Sequence, residues 1–459
     1  MEVNNSCSEG SITKEITVLD VPSVNFNPSS LEVCEDINEN SDCYTLDFSD
    51  STISPIYDFN SSQDPIYNWT VSGGSLGIDY TFENGTDQNS KFPVIRFCNY
   101  GVFEIFTTVD GVSCPGSDNA FFTFTYTQTP IIENSDLQQE ICSGGETQQV
   151  VYLSDVPTTT YSFSITADSA ISGYQNIDFS NGIPPMTLIN SPPSNVPNNL
   201  TINVTPINGN CTGTPVDFIF TVNPKPVIPD QTAIICSGDD LIIPGAANAP
   251  PTIVPAATTY TWEILSVDPG IQNAISSTDL TGGPFSDMLI QSGPNALVND
   301  LDVVQFVTYI VTPTSGDDGN CVGDPFEITV QVDPEPTISS VTLDPICSGE
   351  GFTYNPADDP NNTVPIGTLY EWTVFADGPA TGYTDQGANG VSPISQTNLE
   401  VVNVPVTLTY TVTPYAPGTD GNRCPGEIFF INIQVNPKPV IPDQTAIICS
   451  GDDLIIPGA

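Results

Sequence analysis

Twelve cysteines and no histidine define the side-chain chemistry open to this 459-residue chain. Without an imidazole there is no Ser-His-Asp or Cys-His nucleophile and no His-ligated zinc or haem. Metal ligation by cysteine calls for close pairs such as CxxC, and none occurs. Spacings of roughly 70 to 85 residues between candidate partners suit disulfide bridges instead, and so an oxidising, extracellular address. The other reactive groups are carboxylates, with 55 Asp and Glu against 6 Lys and Arg, for a net charge of −49. Acidic turns at Asp317 and Asp318 (SGDDGNC), Asp420 (GTDGNRC), and Asp239 and Asp240 (CSGDDL) offer oxygens to calcium, the only cofactor candidate. None follows the spaced DxDxDG loop, and Asp-Gly and Asn-Gly are ordinary hairpin turn residues. Glycoside hydrolysis needs two singled-out carboxylates, and nothing here singles out two, so the chain reads as a non-enzyme. Nucleic acid and anionic membrane would both be repelled.

These residues recur at regular intervals. The string NPKPVIPDQTAIICSGDDLIIPGA fills positions 223–246 and returns unchanged at 436–459, an offset of 213. A CSG triplet opens at Cys142, Cys236, Cys347 and Cys449, at separations of 94, 111 and 102. A period near one hundred gives each unit enough chain for its own core. Hydrophobic residues make up 38% of the chain, enough to fold despite its charge. No apolar run is long enough to cross a membrane, and Met1-Glu2-Val3 opens no signal peptide, so the chain reads as an excerpt of a larger protein.

Within each unit an aromatic strand follows the first Cys, as at IYNWTV (Trp69), TYSFSI (Phe163), TYTWEI (Trp262) and LYEWTV (Trp372). A second strand ends in Thr-Pro, at Pro313 and Pro414 for example, and a turn then leads to another Cys. After Cys321, Phe326, Ile328, Val330 and Val332 alternate with polar residues, the period of a strand with one buried face. The same offsets hold after Cys211 and Cys424, while after Cys114 the series Phe122, Phe124, Tyr126 runs one place late. Short alternating strands and turn-rich connections predict an all-β tandem array of immunoglobulin-like antiparallel β-sandwich domains, each with a tryptophan or phenylalanine in its core. Pro-rich junctions divide the chain into 1–23, the remnant of a preceding repeat; 24–129, a divergent repeat; 130–223, 224–334 and 335–437; and 438–459, the start of another. Lys225 and Lys438 lie in those junctions, placed to meet carboxylates.

With one Cys near the start of each unit and one before its last strand, the simplest pairing joins Cys34 to Cys114, Cys142 to Cys211, Cys236 to Cys321 and Cys347 to Cys424. Cys43 and Cys98 form an extra pair, and Cys7 and Cys449 find partners outside the sequence.

The frame of CSG, TYTW, VTYTVTP, GxC and a strand ending VNPKP resembles the PKD-like repeats of giant cell-surface adhesins of Bacteroidota, including gliding-motility adhesins exported by type IX secretion. The resemblance covers nearly the whole chain, clearest from Ile141 onward, although WDFGDG is missing after the tryptophan. It implies an outer-surface filament handled by secretion machinery, and O-glycosylation at Asp-Ser/Thr-apolar triplets, which Ser169 (Asp168-Ser169-Ala170) and Ser51 (Asp50-Ser51-Thr52) resemble. The expected role is a stiff acidic stalk segment, four units of about 35–40 Å making a rod of about 150 Å. The competing expectation is that a unit binds glycan or an abiotic surface. Tyr57, Phe59 and Tyr67 in the first full unit are the candidates, if they do not simply complete its core.

Overall fold

A computed structural model describes residues 14, 18, 21–35, 43–59, 65–112, 116–191, 194–249, 251–316, 319–419, 421–451 and 453–455. These contain no α-helix, only three single 3-10 turns among strands. The chain divides into two compact units, residues 1–189 with 198–222 and residues 190–197 with 223–459. Each is built from two repeats of one plan.

In the first repeat a leading strand, Ser30–Glu35, lies parallel to the closing strand Ser117–Gln128. The closing strand pairs antiparallel with a central strand, Gly101–Asp110, and that with the tryptophan strand Ile66–Ser72. A three-stranded sheet of Tyr44–Asp47, Val94–Phe97 and Tyr80–Glu83 supplies the second layer. The second repeat repeats the order with Gln138–Cys142, Val216–Asn223, Asn198–Asn208 and Thr160–Ala167. In the other unit the third repeat uses Gln231–Cys236, Phe326–Asp333, Gln305–Thr314 and Thr259–Val267. The fourth uses the short pieces Val341–Thr342 and Ile346–Cys347, then Phe429–Asn436, Val406–Pro417 and Leu369–Ala376.

The alternation read from the sequence places the faces. Phe326, Ile328, Val330 and Val332 are buried, as are Phe218, Phe220 and Val222, and Phe429, Ile431, Ile433 and Val435. The late register of the first repeat also holds, with Phe122, Phe124 and Tyr126 buried. Trp69, Trp262 and Trp372 sit in three of the cores. Each indole N–H donates to a backbone carbonyl, of Ser90 at 2.9 Å, Ile275 at 3.2 Å and Thr384 at 3.1 Å, so the ring is buried without stranding its polar edge. The second repeat departs from expectation. Phe163, opposite Val204 in register, keeps 37% of its surface and packs perpendicular to Phe179, ring centroids 5.4 Å apart. There the facing layer shrinks to the two-residue pair Ile171–Ser172 and Ile189–Asn190 plus isolated bridges, which leaves the ring's outer side uncovered.

Candidate functional site: disulfide-clamped junctions between repeats

The strand order determines which cysteines can meet. Because leading and closing strands run the same way, the cysteine that ends the leading strand lies beside the end of the closing strand. Cys34 is opposite Thr127, Cys236 opposite Asp333 and Cys347 opposite Asn436. The later cysteine of each repeat lies in the turn that begins the closing strand, as Cys211 opposite Asn208 and Cys424 opposite Ala416 show. The closing strand Phe326–Asp333 separates these two poles. At about 3.3 Å per residue that is more than 20 Å, against a limit near 7 Å between bridged Cα atoms.

A bridge between the leading-strand cysteine and the later cysteine of the same repeat is therefore impossible, and the pairing expected from spacing is corrected. Cys34 bonds to Cys211 rather than Cys114, with Cα atoms 5.4 Å apart. Cys236 bonds to Cys424 rather than Cys321, at 5.5 Å. Each bond runs from the end of one repeat's leading strand to the closing turn of the next. Cys142 and Cys321 are also disulfide-bonded, and the partners expected for them, Cys211 and Cys236, are engaged elsewhere. Cys347 is a free, exposed thiol, since its expected partner Cys424 is bonded to Cys236, and Cys449 is free and exposed as well. Cys43–Cys98 forms as expected, between neighbouring strands of the first repeat's second sheet. Cys7 and Cys114 lie outside the described residues.

Polar bonds close the same junctions. Between the first and second repeats Asn208 donates to the Gln128 carbonyl at 3.0 Å and Asn210 to the Glu32 carboxylate at 2.6 Å. The Asp155 carboxylate accepts from the Gln128 amide at 2.6 Å and from the Ile131 N–H at 2.9 Å. Between the third and fourth repeats the buried Asp333 carboxylate accepts the Thr419 N–H at 2.9 Å and its hydroxyl at 3.0 Å, and Gln331 donates to both side chains. A carboxylate buried with several donors is held firmly, because leaving it unpaired would cost far more than a neutral bond is worth.

A glycine two places after each later cysteine completes the junction, and the sequence reading missed it. The N–H groups of Gly213, Gly323 and Gly426 donate to the carbonyls of Pro206, Pro313 and Pro414, the Thr-Pro prolines, at 2.9, 2.8 and 2.8 Å. A Cβ on those glycines would stand 1.9, 2.5 and 2.1 Å from the carbonyl oxygens of Pro130, Pro226 and Pro336 in the incoming connections. Only glycine lets the closing turn lie against the incoming chain so closely. The recurrence CTG, CVG, CPG was the available signal.

The acidic turns look different in place. Asp317, Asp318 and Asp420 lie outside the described residues. Asp239 accepts the Cys236 N–H at 3.3 Å and Asp240 the Gly293 N–H at 2.6 Å, so both serve as backbone acceptors. With Asp333 and Arg423 they line a cleft of about 450 Å³ beside the Cys236–Cys424 bond. Among the described residues no group of three or more acidic or thiol side chains is arranged to hold a metal ion. Partial burial, and then the charges of Asp239 and Glu427, push the Glu335 carboxyl above its usual range. At the equivalent place one junction earlier Lys225 instead pairs with Asp324 at 3.5 Å.

Ser51 and Ser169 are both exposed on turns. The Asp50 carboxylate accepts the N–H and hydroxyl of Thr52, which hold its pKa below the usual value, and Asp168 accepts the Asn199 N–H at 2.8 Å. Of the candidate aromatics, Tyr67 packs against the first core, while Tyr57 and Phe59 form a half-buried cluster with Phe92. The Lys91 ammonium stands 5.9, 5.5 and 5.2 Å from the Tyr57, Phe59 and Phe92 ring centres.

Parallel leading strand, a tryptophan in three of the four cores and four-fold repetition define a class: a tandem all-β array of immunoglobulin-like sandwiches tied to one another by disulfides. The chain belongs to the PKD-like domain family, which matches it three times, at residues 139–226, 233–336 and 344–439. No curated protein matches it. Among solved structures it is similar to the I-band fragment I67–I69 of titin (11% identity, 69% of this chain and 98% of that one, TM-score 0.34). The human desmocollin-1 ectodomain (12%, 85% and 78%, TM-score 0.26) and the immunoglobulin domains 1–5 of sidekick-1 (11%, 92% and 82%, TM-score 0.25) are also similar.

Proposed function

We propose that this chain is a stalk segment of a large surface adhesin, holding an adhesive region away from the cell and bearing load. The observation that carries the reading is the covalent clamp between successive repeats, Cys34–Cys211 and Cys236–Cys424, which joins neighbours end to end rather than stabilising each alone. Such bonds form in oxidising surroundings, which places the segment outside the cytoplasm on this reading. No helix of the described residues is long and apolar enough to cross a membrane. The resemblance to gliding adhesins of Bacteroidota supplies the rest of the proposal: export by type IX secretion, attachment at the outer surface, and work in gliding or attachment. Purified, oxidised protein would be tested on a glycan panel and on bare glass, with calcium and with chelator. A stalk gives no saturable binding under either condition. Saturable binding overturns the reading and places recognition within these repeats.

A second reading is favoured by one observation, the Lys91 ammonium over the Tyr57, Phe59 and Phe92 rings. An aromatic cluster with a cation is a surface on which a sugar ring can stack. If the first repeat binds glycan, Tyr57→Ala and Phe59→Ala abolish the binding in the same panel while far-UV circular dichroism is unchanged.

A further inference from the structure

We infer that the disulfides between repeats form a nearly inextensible covalent path, so that tension runs through strand backbone and sulfur and bypasses the hydrogen bonds of the sandwiches. The inference deepens the stalk reading and rests on it for its purpose; the mechanics follow from connectivity alone. A pull on the ends enters the leading strand of the first repeat and reaches Cys34, where it crosses directly to Cys211. The sequence between those residues is shunted and carries no tension. From Cys211 the backbone runs 25 residues to Cys236, where tension crosses again, to Cys424.

Those 25 residues include the closing strand Val216–Asn223 and the leading strand Gln231–Cys236, both already extended. Slack is confined to the connections at 212–215 and 224–230, at most about 40 Å when drawn straight. By backbone alone Cys34 and Cys424 are 390 residues apart, about 1,300 Å at full stretch. The parallel leading strand is what makes the path short. It carries the chain from one pole of a repeat to the other in a single pass and delivers its cysteine to the next repeat's closing turn. In an ordinary sandwich an end-to-end pull shears strands apart and then releases the whole domain. Here unfolding of the shunted sequence would yield no length, so the load gains nothing by causing it.

The test is to stretch the full, oxidised chain between handles fixed at its two ends, then repeat the measurement after adding reductant to the folded protein. The oxidised chain is expected to show no unfolding step longer than about 40 Å from the region between Cys34 and Cys424. The reduced chain is expected to release steps that together approach 1,000 Å in order of magnitude. Cys236→Ser should restore steps of several hundred Å without reductant, roughly the length of a shunted loop. Should that variant fail to fold, the reduced wild type carries the comparison. Long steps of equal size in oxidised and reduced chains overturn the inference. That outcome would leave the stalk reading standing, since the latter falls only on saturable binding to glycan or glass.

Discussion

Gly323 illustrates how much a junction asks of one residue. Its N–H is used by Pro313 and the space where a side chain would start is filled by the Pro226 carbonyl, 2.5 Å from an added Cβ. Both neighbours are backbone, so neither can rotate away. Gly323→Ala is expected to lower stability by about 1–3 kcal/mol, as overpacking does, read from the midpoint of urea unfolding. An unchanged midpoint would mean that the connection is looser than described. The tyrosines make a contrasting case. Among the described residues the Tyr309 hydroxyl is buried with no protein partner, whereas Tyr260 accepts the Ala246 N–H at 3.1 Å. Tyr309→Phe should therefore be neutral or stabilising by up to about 1 kcal/mol, and Tyr260→Phe destabilising by about that amount. Burial also raises the pKa of Tyr370, to about 12, and then its neighbour Tyr354 adds to the effect. A tyrosine whose folded pKa is raised contributes stability that is present below the unfolded value near 10 and lost as pH climbs through the folded value. Urea midpoints should hold steady to pH 10 and fall between 10 and 12. A midpoint that rose over that window would contradict the burial of these phenols.

At the scale of elements, the three tryptophans anchor the strand that crosses three of the four cores. Trp262 is fully buried and hydrogen-bonded, and Trp262→Ala is expected to cost about 3–5 kcal/mol, a loss that a urea titration of the folded chain would show. Phe163→Ala should cost distinctly less, because much of that ring is already in water. Similar losses at both positions would contradict the thin facing layer of the second repeat. This much was legible in the chain itself. A period of two declares which face of a strand is buried, and the cysteine offsets put Phe326, Phe429 and their equivalents in register. The bridges were not legible, for a physical reason. Spacing counts residues between cysteines and is blind to which pole of the sandwich each one reaches. Had the segment Gln231–Cys236 been antiparallel to its neighbour, Cys236 would lie near Cys321 and the expected bridge could close. It is parallel, and the partner is one repeat further on. Nothing in the alternation of Ala233 and Ile235 distinguishes the two directions. The glycines escaped for a related reason, since what excludes a side chain is another part of the backbone, and no local pattern announces it.

For the whole molecule the dominant quantity is charge. With 55 acids and 6 cations the chain repels itself, and the few cations cannot neutralise it locally. The Lys225–Asp324 pair is surface-exposed on the acid's side, and such pairs are worth at most about 1 kcal/mol. Self-repulsion acts over the Debye length, which falls from about 30 Å at 0.01 M salt to about 8 Å at 0.15 M. Raising sodium chloride across that range should therefore increase the melting temperature by several degrees, with most of the gain at the low end. Calcium separates screening from site binding. Asp239 and Asp240 each commit one carboxylate oxygen to a backbone N–H group, and among the described residues no three acidic side chains are grouped to surround a cation. Calcium chloride at matched ionic strength should then raise the melting temperature no more than magnesium chloride does. A calcium increment well above the magnesium one, saturating at millimolar concentration or below, would show that the acidic turns bind the ion and would make them a structural site. Equal increments would assign the stabilisation to screening alone, as expected for a surface whose charges are spread over many turns.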